Sequence, residues 1–375
     1  METKSRVTVL LCLLVLAAGA CSKKEQSTPT PAEPAASNEH GAPAASAPAA
    51  AIDADSQTYP YQLGDVPVPA DNPQTKEKLE LGHELFFDKR LSVDGSRSCY
   101  SCHQNEDGNG GHDPVAIGVG DKKLTRHSPV IWNVGYAKRL YWDGRAGSLE
   151  EQGKAVLAGP NMGLVKDKLD AKLKELGKIA AYRKAFDTAF PGKGITADTI
   201  ALALSAYERT LVCNETAYDR YAKGEKSALT AEQKRGLVTF TGKAGCTTCH
   251  TPPFFSLAFM SPDGAYFDVG IGTQGKAEAD VDVGRMAVTK AATDWAAFKP
   301  PSLRNVSKSA PYFHDGSVKT LKEAVHFMAS GGAKNKNLTP LLSDKQLTDT
   351  EIDEIVEFLG SLDCSKKLEE PKLPK

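Results

Sequence analysis

Two five-residue stretches carry the densest chemistry in the sequence. Cys99-Tyr100-Ser101-Cys102-His103 and Cys246-Thr247-Thr248-Cys249-His250 each set two thiols three positions apart, with an imidazole directly after the second. Thiols so spaced add to the two vinyl groups of a haem, and the tight turn places the following histidine to ligate the iron. A dithiol redox pair and a structural zinc site use the same Cys-x-x-Cys spacing. Zinc would need further thiols or imidazoles at matched spacing, and the sequence has none. The residues therefore predict two covalently bound haem c groups, one on Cys99, Cys102 and His103 and one on Cys246, Cys249 and His250.

The other face of each iron decides the chemistry. Iron with two strong protein ligands transfers electrons, whereas iron with an open or displaceable sixth position can activate a small oxidant. The candidate sixth ligands are His40, His83, His112, His127, His314 and His326, with Met162, Met260, Met286 and Met328. Any one of these side chains taken alone reads as packing or surface.

The elements that must position these motifs are helical. A weak internal repeat precedes them, Leu81-Gly82-His83-Glu84-Leu85-Phe86-Phe87 before the first and Arg235-Gly236-Leu237-Val238-Thr239-Phe240 before the second. Each reads as an amphipathic helix running into a haem-attachment turn, and Thr230 with Gln233 has the spacing of a capping box. Helical patterns recur over 166–190, 197–211, 321–328 and 348–362, without a regular succession of alternating strands. The expected fold is mainly α: two cytochrome c-like haem domains, with long irregular loops over 104–130 and 251–317 wrapped around the cofactors. The expected boundaries are 60–215 for the first domain, 216–366 for the second and 367–375 for a tail. Cys213 and Cys364 are left over, and either a disulfide or two unconnected buried thiols accounts for them.

The chain opens with Lys4 and Arg6, an apolar run over 7–16 and small residues ending at Cys21, the pattern of an export signal over 1–21. The apolar run is shorter than the roughly 20 residues that span a bilayer. Small residues directly before a cysteine resemble a bacterial lipobox, so a lipid anchor at Cys21 and a tethered periplasmic protein are expected. Residues 22–59, rich in Ala, Pro and Ser, read as a disordered tether. With 46 basic against 47 acidic residues the chain gives no electrostatic reason to bind nucleic acid.

Beyond these motifs the chain resembles the bacterial dihaem cytochrome c peroxidases, whose superfamily includes the MauG-type enzymes. The resemblance rests on Leu85-Phe86-Phe87-Asp88 with Arg90-Leu91-Ser92, Trp142-Asp143-Gly144-Arg145, Ala217-Tyr218-Asp219-Arg220-Tyr221, Gly284-Arg285, Leu303-Arg304-Asn305-Val306 and Ala310-Pro311-Tyr312-Phe313-His314. It implies that peroxide reacts at the His103 haem and that electrons enter at the His250 haem, with Met328 as that iron's distal ligand. Trp142 matches the family's tryptophan between the haems, against the plainer reading of a packed aromatic. Gln152 matches a distal glutamine that hydrogen-bonds peroxide, against the plainer reading of an exposed helix residue. The implied partners are hydrogen peroxide and a small electron donor, a cytochrome c or cupredoxin; the family also implies a homodimer.

Three positions depart from the family pattern. Val119 stands where the family has a displaceable distal histidine, which implies a first haem open at rest or capped by His112 or His127. His127 stands at the family's calcium asparagine, and a neutral imidazole suits that hard cation poorly, leaving the Ser309 and Pro311 carbonyls as candidate calcium ligands. Asn161 stands at the family's catalytic glutamate, where an amide can hydrogen-bond but not exchange a proton, unless a carboxylate such as Glu151 reaches the pocket. The leading expectation is a peroxidase reducing hydrogen peroxide to water. The alternatives are a MauG-like oxidase of a partner protein and a dihaem electron carrier without peroxide chemistry.

Overall fold

Side-chain caps set where most helices begin. Thr75, Ser148, Thr196, Thr216, Thr230, Thr320 and Thr348 each accept a hydrogen bond from a first-turn backbone N–H that has no partner within the helix. At Thr230, Gln233 returns the bond, closing the capping box read in the sequence. The computed structural model describes residues 53–375. Its helices are α1 (Lys76–Phe87), α2 (Leu149–Ala158), α3 (Asp167–Leu176), α4 (Ala180–Ala189), α5 (Ala197–Glu208), α6 (Ala217–Ala222), α7 (Ala231–Thr241), α8 (Leu257–Met260), α9 (Met286–Thr289), α10 (Leu321–Ala329) and α11 (Asp349–Gly360). Only isolated β-bridges join extended segments among the described residues, so the mainly α expectation holds. The pattern over 166–190 divides into α3 and α4 across Gly177–Ile179, where the helical ladder gives way to tighter bonds from the Lys178 and Ile179 N–H groups to the Glu175 and Leu176 carbonyls.

Two apolar cores organise the chain. The first gathers Leu81, Leu85 and Phe86 of α1 with Tyr182 and Phe186 of α4 and Ile200 and Leu204 of α5. The second gathers Leu237 and Phe240 of α7 with Tyr218, Phe255, Ile355 and Phe358. In each lobe the helix that enters the haem turn crosses the lobe's last long helix, α1 over α5 and α7 over α11, and a glycine stands at each crossing. A Cβ on Gly82 would lie 2.0 Å from the Ala203 carbonyl oxygen, and one on Gly236 would lie 1.8 Å from that of Glu354. The weak sequence repeat thus marks the two places where backbones touch.

The repeat extends further than its sequence signal. Asn133 and Asn305, both with φ near +60°, each begin a single 3-10 turn, a backbone setting that asparagine tolerates better than most residues. The Asn133 side chain bonds both backbone groups of Cys213, and the Asn305 side chain takes the N–H of Cys364. Between these anchors Cys213 and Cys364 form a disulfide with Cα atoms 5.8 Å apart, which settles the alternative left open by the sequence.

The two ends of the described chain differ from the sequence expectation. Residues 53–59, assigned by composition to the tether, pack Ala54 and Tyr59 into the second core, and the Tyr221 hydroxyl donates to Asp55. Residues 367–375, read as a tail, run along the first lobe: Leu368 is buried there, and the Glu369 and Pro374 carbonyls accept from His83 and Arg90. Composition registers few large apolar residues in either segment; a handful of well-placed ones suffices once a core exists. The export signal, Cys21, His40 and the tether up to residue 52 lie outside the described residues. Among the described residues no helix is long and apolar enough to cross a membrane.

The crossings give a direct test. Gly236→Ala and Gly82→Ala must each push two helix backbones apart and are expected to cost at least about 1–3 kcal/mol, read as a lower denaturation midpoint of the haem-loaded protein. Gly360→Ala, on α11 with open space around it, serves as the control.

Candidate functional site

Both haem motifs wind into single 3-10 turns, Tyr100–Cys102 and Cys246–Thr248, at the ends of short connections from α1 and α7. The His103 ring nitrogen Nδ1 lies 3.2 Å from the Asn109 carbonyl and that of His250 lies 3.0 Å from the Phe255 carbonyl. A carbonyl can only accept, so both Nδ1 atoms carry the proton and both Nε2 atoms are left with a lone pair for a metal. Burial pushes His103 down to about 4 and lowers His250 as well, so both rings are neutral at pH 7.

Asn109 was not singled out in the sequence, and it organises the first turn. Its backbone takes φ +62°, its carbonyl accepts from His103 and from the Ile131 N–H, its amide donates to the His103 carbonyl, and its Oδ1 accepts from the buried Trp132 indole at 2.8 Å. In the second lobe the counterpart is Arg304, whose guanidinium donates twice to the Pro253 carbonyl and twice to Asp219.

The four motif cysteines are free thiols, unlike Cys213 and Cys364. Burial pushes Cys246 up to about 12 and Cys249 up to about 11, and raises Cys99 and Cys102 too. Burial thus keeps these thiols protonated at neutral pH, unlike the activated thiolate of a dithiol redox pair. Among the described residues no group of three or more His, Cys, Asp and Glu side chains is arranged around a metal ion.

Cys99, Cys102 and His103 line a cavity of about 490 Å³, within the roughly 300–1,000 Å³ typical of cofactor sites. Arg97, Lys122, Lys123, Arg126 and Arg145 also line it, a cationic set suited to the propionates of a haem. These residues fit the group.

The structure brings several predicted residues to that cavity and leaves others out. Trp142, Gln152 and Asn161 line it. Val119 does not; its N–H bonds the Pro160 carbonyl and its side chain lies against Gly163. His112 is exposed and paired with Asp107, away from the cavity wall. His127 lines the cavity, but its Nδ1–H donates to the Asp113 carbonyl at 2.9 Å, and the backbone of Ser309 adjoins its ring. Glu151 points elsewhere, taking the Gly147 N–H at an exposed position. The carboxylate that does reach the cavity is Glu208, at the end of α5, which no local motif marks.

Trp142 stands at the seam between the lobes. Its indole N–H donates to the His127 carbonyl at 2.8 Å, its own carbonyl accepts from Lys299, and its ring meets His314 edge-on with centroids 6.4 Å apart. His314 in turn stacks on Phe298 at 3.7 Å. Arg126 closes the seam by pairing with Asp143 of the first lobe and Asp282 of the second.

In the second lobe Met328 is half-buried on α10, whose neighbouring Leu321 and Val325 pack in the same apolar cluster as Cys246. At helical spacing residues 321, 325 and 328 share one face. The backbone after Met328 also reaches the haem turn's surroundings, since the Ala329 carbonyl accepts from Lys345, a residue whose charge is felt by Cys246.

A mainly α chain with two lobes, each built on a Cys-x-x-Cys-His turn, defines a dihaem c-type protein. The model of a family described as di-haem cytochrome c peroxidase matches residues 76–227. Cytochrome c551 peroxidase of Pseudomonas aeruginosa is 39% identical over 311 residues, covering 80% of this chain and 83% of its own length. The methylamine utilization protein MauG of Methylorubrum extorquens is 36% identical over 299 residues, covering 79% of this chain and 81% of its own. The crystal structure of a MauG-like protein associated with microbial copper homeostasis superposes with a TM-score of 0.75 at 31% identity, over 82% of this chain and 95% of that one. The chain belongs to the di-haem cytochrome c peroxidase family, and membership implies two haem c groups.

Asn109 supplies the test of this geometry. Asn109→Ala strands the buried Trp132 indole and the His103 carbonyl, each at about 1–3 kcal/mol, and should lower the melting temperature and perturb the absorption spectrum of the first haem while sparing the second.

Proposed function

We propose that this protein is a peroxidase that reduces hydrogen peroxide to water, with peroxide reacting in the His103 cavity and electrons entering through the lobe of His250 and Met328. The observation that carries this reading is that one cavity joins Cys99, Cys102 and His103 to Gln152, Asn161 and Trp142. The bound haems supply the irons that exchange electrons and bind the oxidant. His103 presents the first ligand through its oriented Nε2. The Gln152 and Asn161 amides donate hydrogen bonds to a small oxygen substrate, and Trp142 joins the two lobes, its carbonyl accepting from the Lys299 N–H and its ring meeting His314 edge-on. The balance is one peroxide, two electrons and two protons to two waters, with the electrons delivered singly by a small cytochrome c or cupredoxin. The export signal makes the periplasm the expected compartment, with Cys21 as the anchor and a homodimer as the expected assembly. Calcium at Ser309 and Pro311 forms no part of the proposal, because the neutral imidazole of His127 stands where a hard cation would need oxygen.

A MauG-like oxidation of a partner protein is the second reading, favoured by Asn161 in place of a carboxylate and by the 36% identity to a MauG. Met328 on the apolar face of α10 favours the peroxidase, since a methionine ligand supplied there would raise the potential of a haem iron held by His250.

The haem-loaded protein should consume peroxide catalytically with a reduced one-electron donor. No turnover, even after reduction of the second haem, together with no binding of cyanide at either iron, would leave only the electron carrier. Met328→His should lower the second haem's midpoint potential in a spectroscopic redox titration; an unchanged potential would remove Met328 from the ligand set.

A further inference from the structure

Reduction of peroxide consumes protons as well as electrons, and the first cavity is poorly supplied with groups that exchange them. Gln152 and Asn161 are amides and have no titratable proton. His103 is assigned to the iron, and the ring proton of His127 is held by Asp113. The Tyr141 hydroxyl is donated to the Gln152 carbonyl, and burial raises its pKa. Arginines do not deprotonate, and Lys122 and Lys123 are exposed residues. Among the described residues that line the cavity there is one carboxyl group, Glu208.

The placement of Glu208 is specific. It ends α5, one turn beyond Leu204, which also lines the cavity, and α5 packs against α2, the helix that carries Gln152. Its neighbour Arg209 turns the other way, onto Glu150, which Asn72 also holds. The Glu208 carboxyl makes no hydrogen bond or ion pair with any described side chain, so the one cation within reach is committed elsewhere. We propose that Glu208 is the proton-exchanging group of the first haem cavity, a carboxylic acid that passes a proton to peroxide oxygen and recovers it from solvent.

This rests on the peroxidase reading and adds to it the acid that Asn161 cannot be. In the balanced reaction the O–O bond breaks, the donor protein's two electrons go to the two oxygens, and of the two protons required one passes through Glu208. The charged and titratable groups around it are Arg209 and Glu150, paired with each other, with Tyr207 and Cys99 alongside. Burial pushes the Glu208 carboxyl up to about 8, against the weaker pull of Arg209. The sign follows: at pH 7 the group holds its proton and can give it, and as pH rises through the alkaline range that proton is lost. An ordinary solvent-exposed glutamate would be ionised already at neutral pH and would have no proton to give.

The test compares wild type, Glu208→Gln and Glu208→Asp, each fully loaded with haem. Glu208→Gln keeps the shape and removes the proton. It is expected to slow the reaction of peroxide with the protein at pH 7 by about a hundredfold or more, with Glu208→Asp in between. It is also expected to abolish the fall of the first haem's midpoint potential with rising pH, while the second haem's potential and its pH response stay as in wild type. Infrared difference spectra of reduced against oxidised protein should show a protonated-carboxyl band that Glu208→Gln removes. Wild-type rates and an unchanged pH response in Glu208→Gln would overturn the proposal. Loss of haem, or equal disturbance of both haems in both variants, would overturn it too, by making Glu208 a structural residue. If wild type turns over no peroxide yet Glu208→Gln alone flattens the first haem's pH response and removes the infrared band, the proton-exchange role stands and only the peroxidase reading falls.

Discussion

An ion pair with no access to water underlies the second lobe. Arg304 and Asp219 are both fully buried and meet through two 2.8 Å bonds, and the remaining guanidinium donors reach the Pro253 carbonyl. Desolvating two charges is costly unless every lone pair and proton finds a partner, and removing one partner of such a pair typically costs about 3–5 kcal/mol. Here four guanidinium bonds are made, and Asp219 also accepts from the Thr216 backbone and hydroxyl, so the same carboxylate starts α6. Arg304 thereby ties α6 to the chain between Pro253 and Phe255, and Phe255 is the residue whose carbonyl orients His250. In the first lobe Trp132 and Asn109 serve the same purpose with neutral groups. Each imidazole is thus oriented by a carbonyl five or six residues past its motif, and the segment carrying that carbonyl is held in turn by Trp132 or Arg304.

The lobes are joined by interactions that use the same residues as the cavity. Arg126 lines the cavity and pairs across the seam with Asp282; Trp142 lines it and takes Lys299 of the other lobe on its carbonyl. The exchanged ends of the chain and the Cys213–Cys364 disulfide tie the lobes again at a distance from the seam. A change of charge or packing at the first cavity therefore bears on contacts to the second lobe, because Arg126 and Trp142 belong to both.

The repeat before the haem motifs was readable as two similar helices, yet nothing local says why Gly82 and Gly236 stand in them. The reason is the partner helix, whose carbonyl leaves no room for a Cβ. Glu151 and Glu208 show the same limit at the site. Glu151 adjoins Gln152 in sequence, but adjacent residues on a helix face different ways, and its carboxylate caps Gly147 instead. Glu208 is 56 positions from Gln152 and reaches the cavity only because α5 packs on α2. Likewise the ends of the described chain looked unstructured by composition until a core was present to receive Tyr59 and Leu368.

The sequence alone determined what is local and covalent. Two Cys-x-x-Cys-His turns are the pattern expected for haem attachment and proximal ligation, because thiol and imidazole spacing within one turn is set by backbone geometry. Helix starts at Thr230 and Thr348, and the mainly α class, follow from caps and apolar periodicity for the same reason. Tertiary structure decided everything that depends on groups far apart in the chain. It brought Glu208 into the first cavity, sent His112 out of it, held His127 on Asp113 and joined Cys213 to Cys364. Those outcomes turn on burial and on which partner is within about 3 Å, quantities that no spacing along the chain contains.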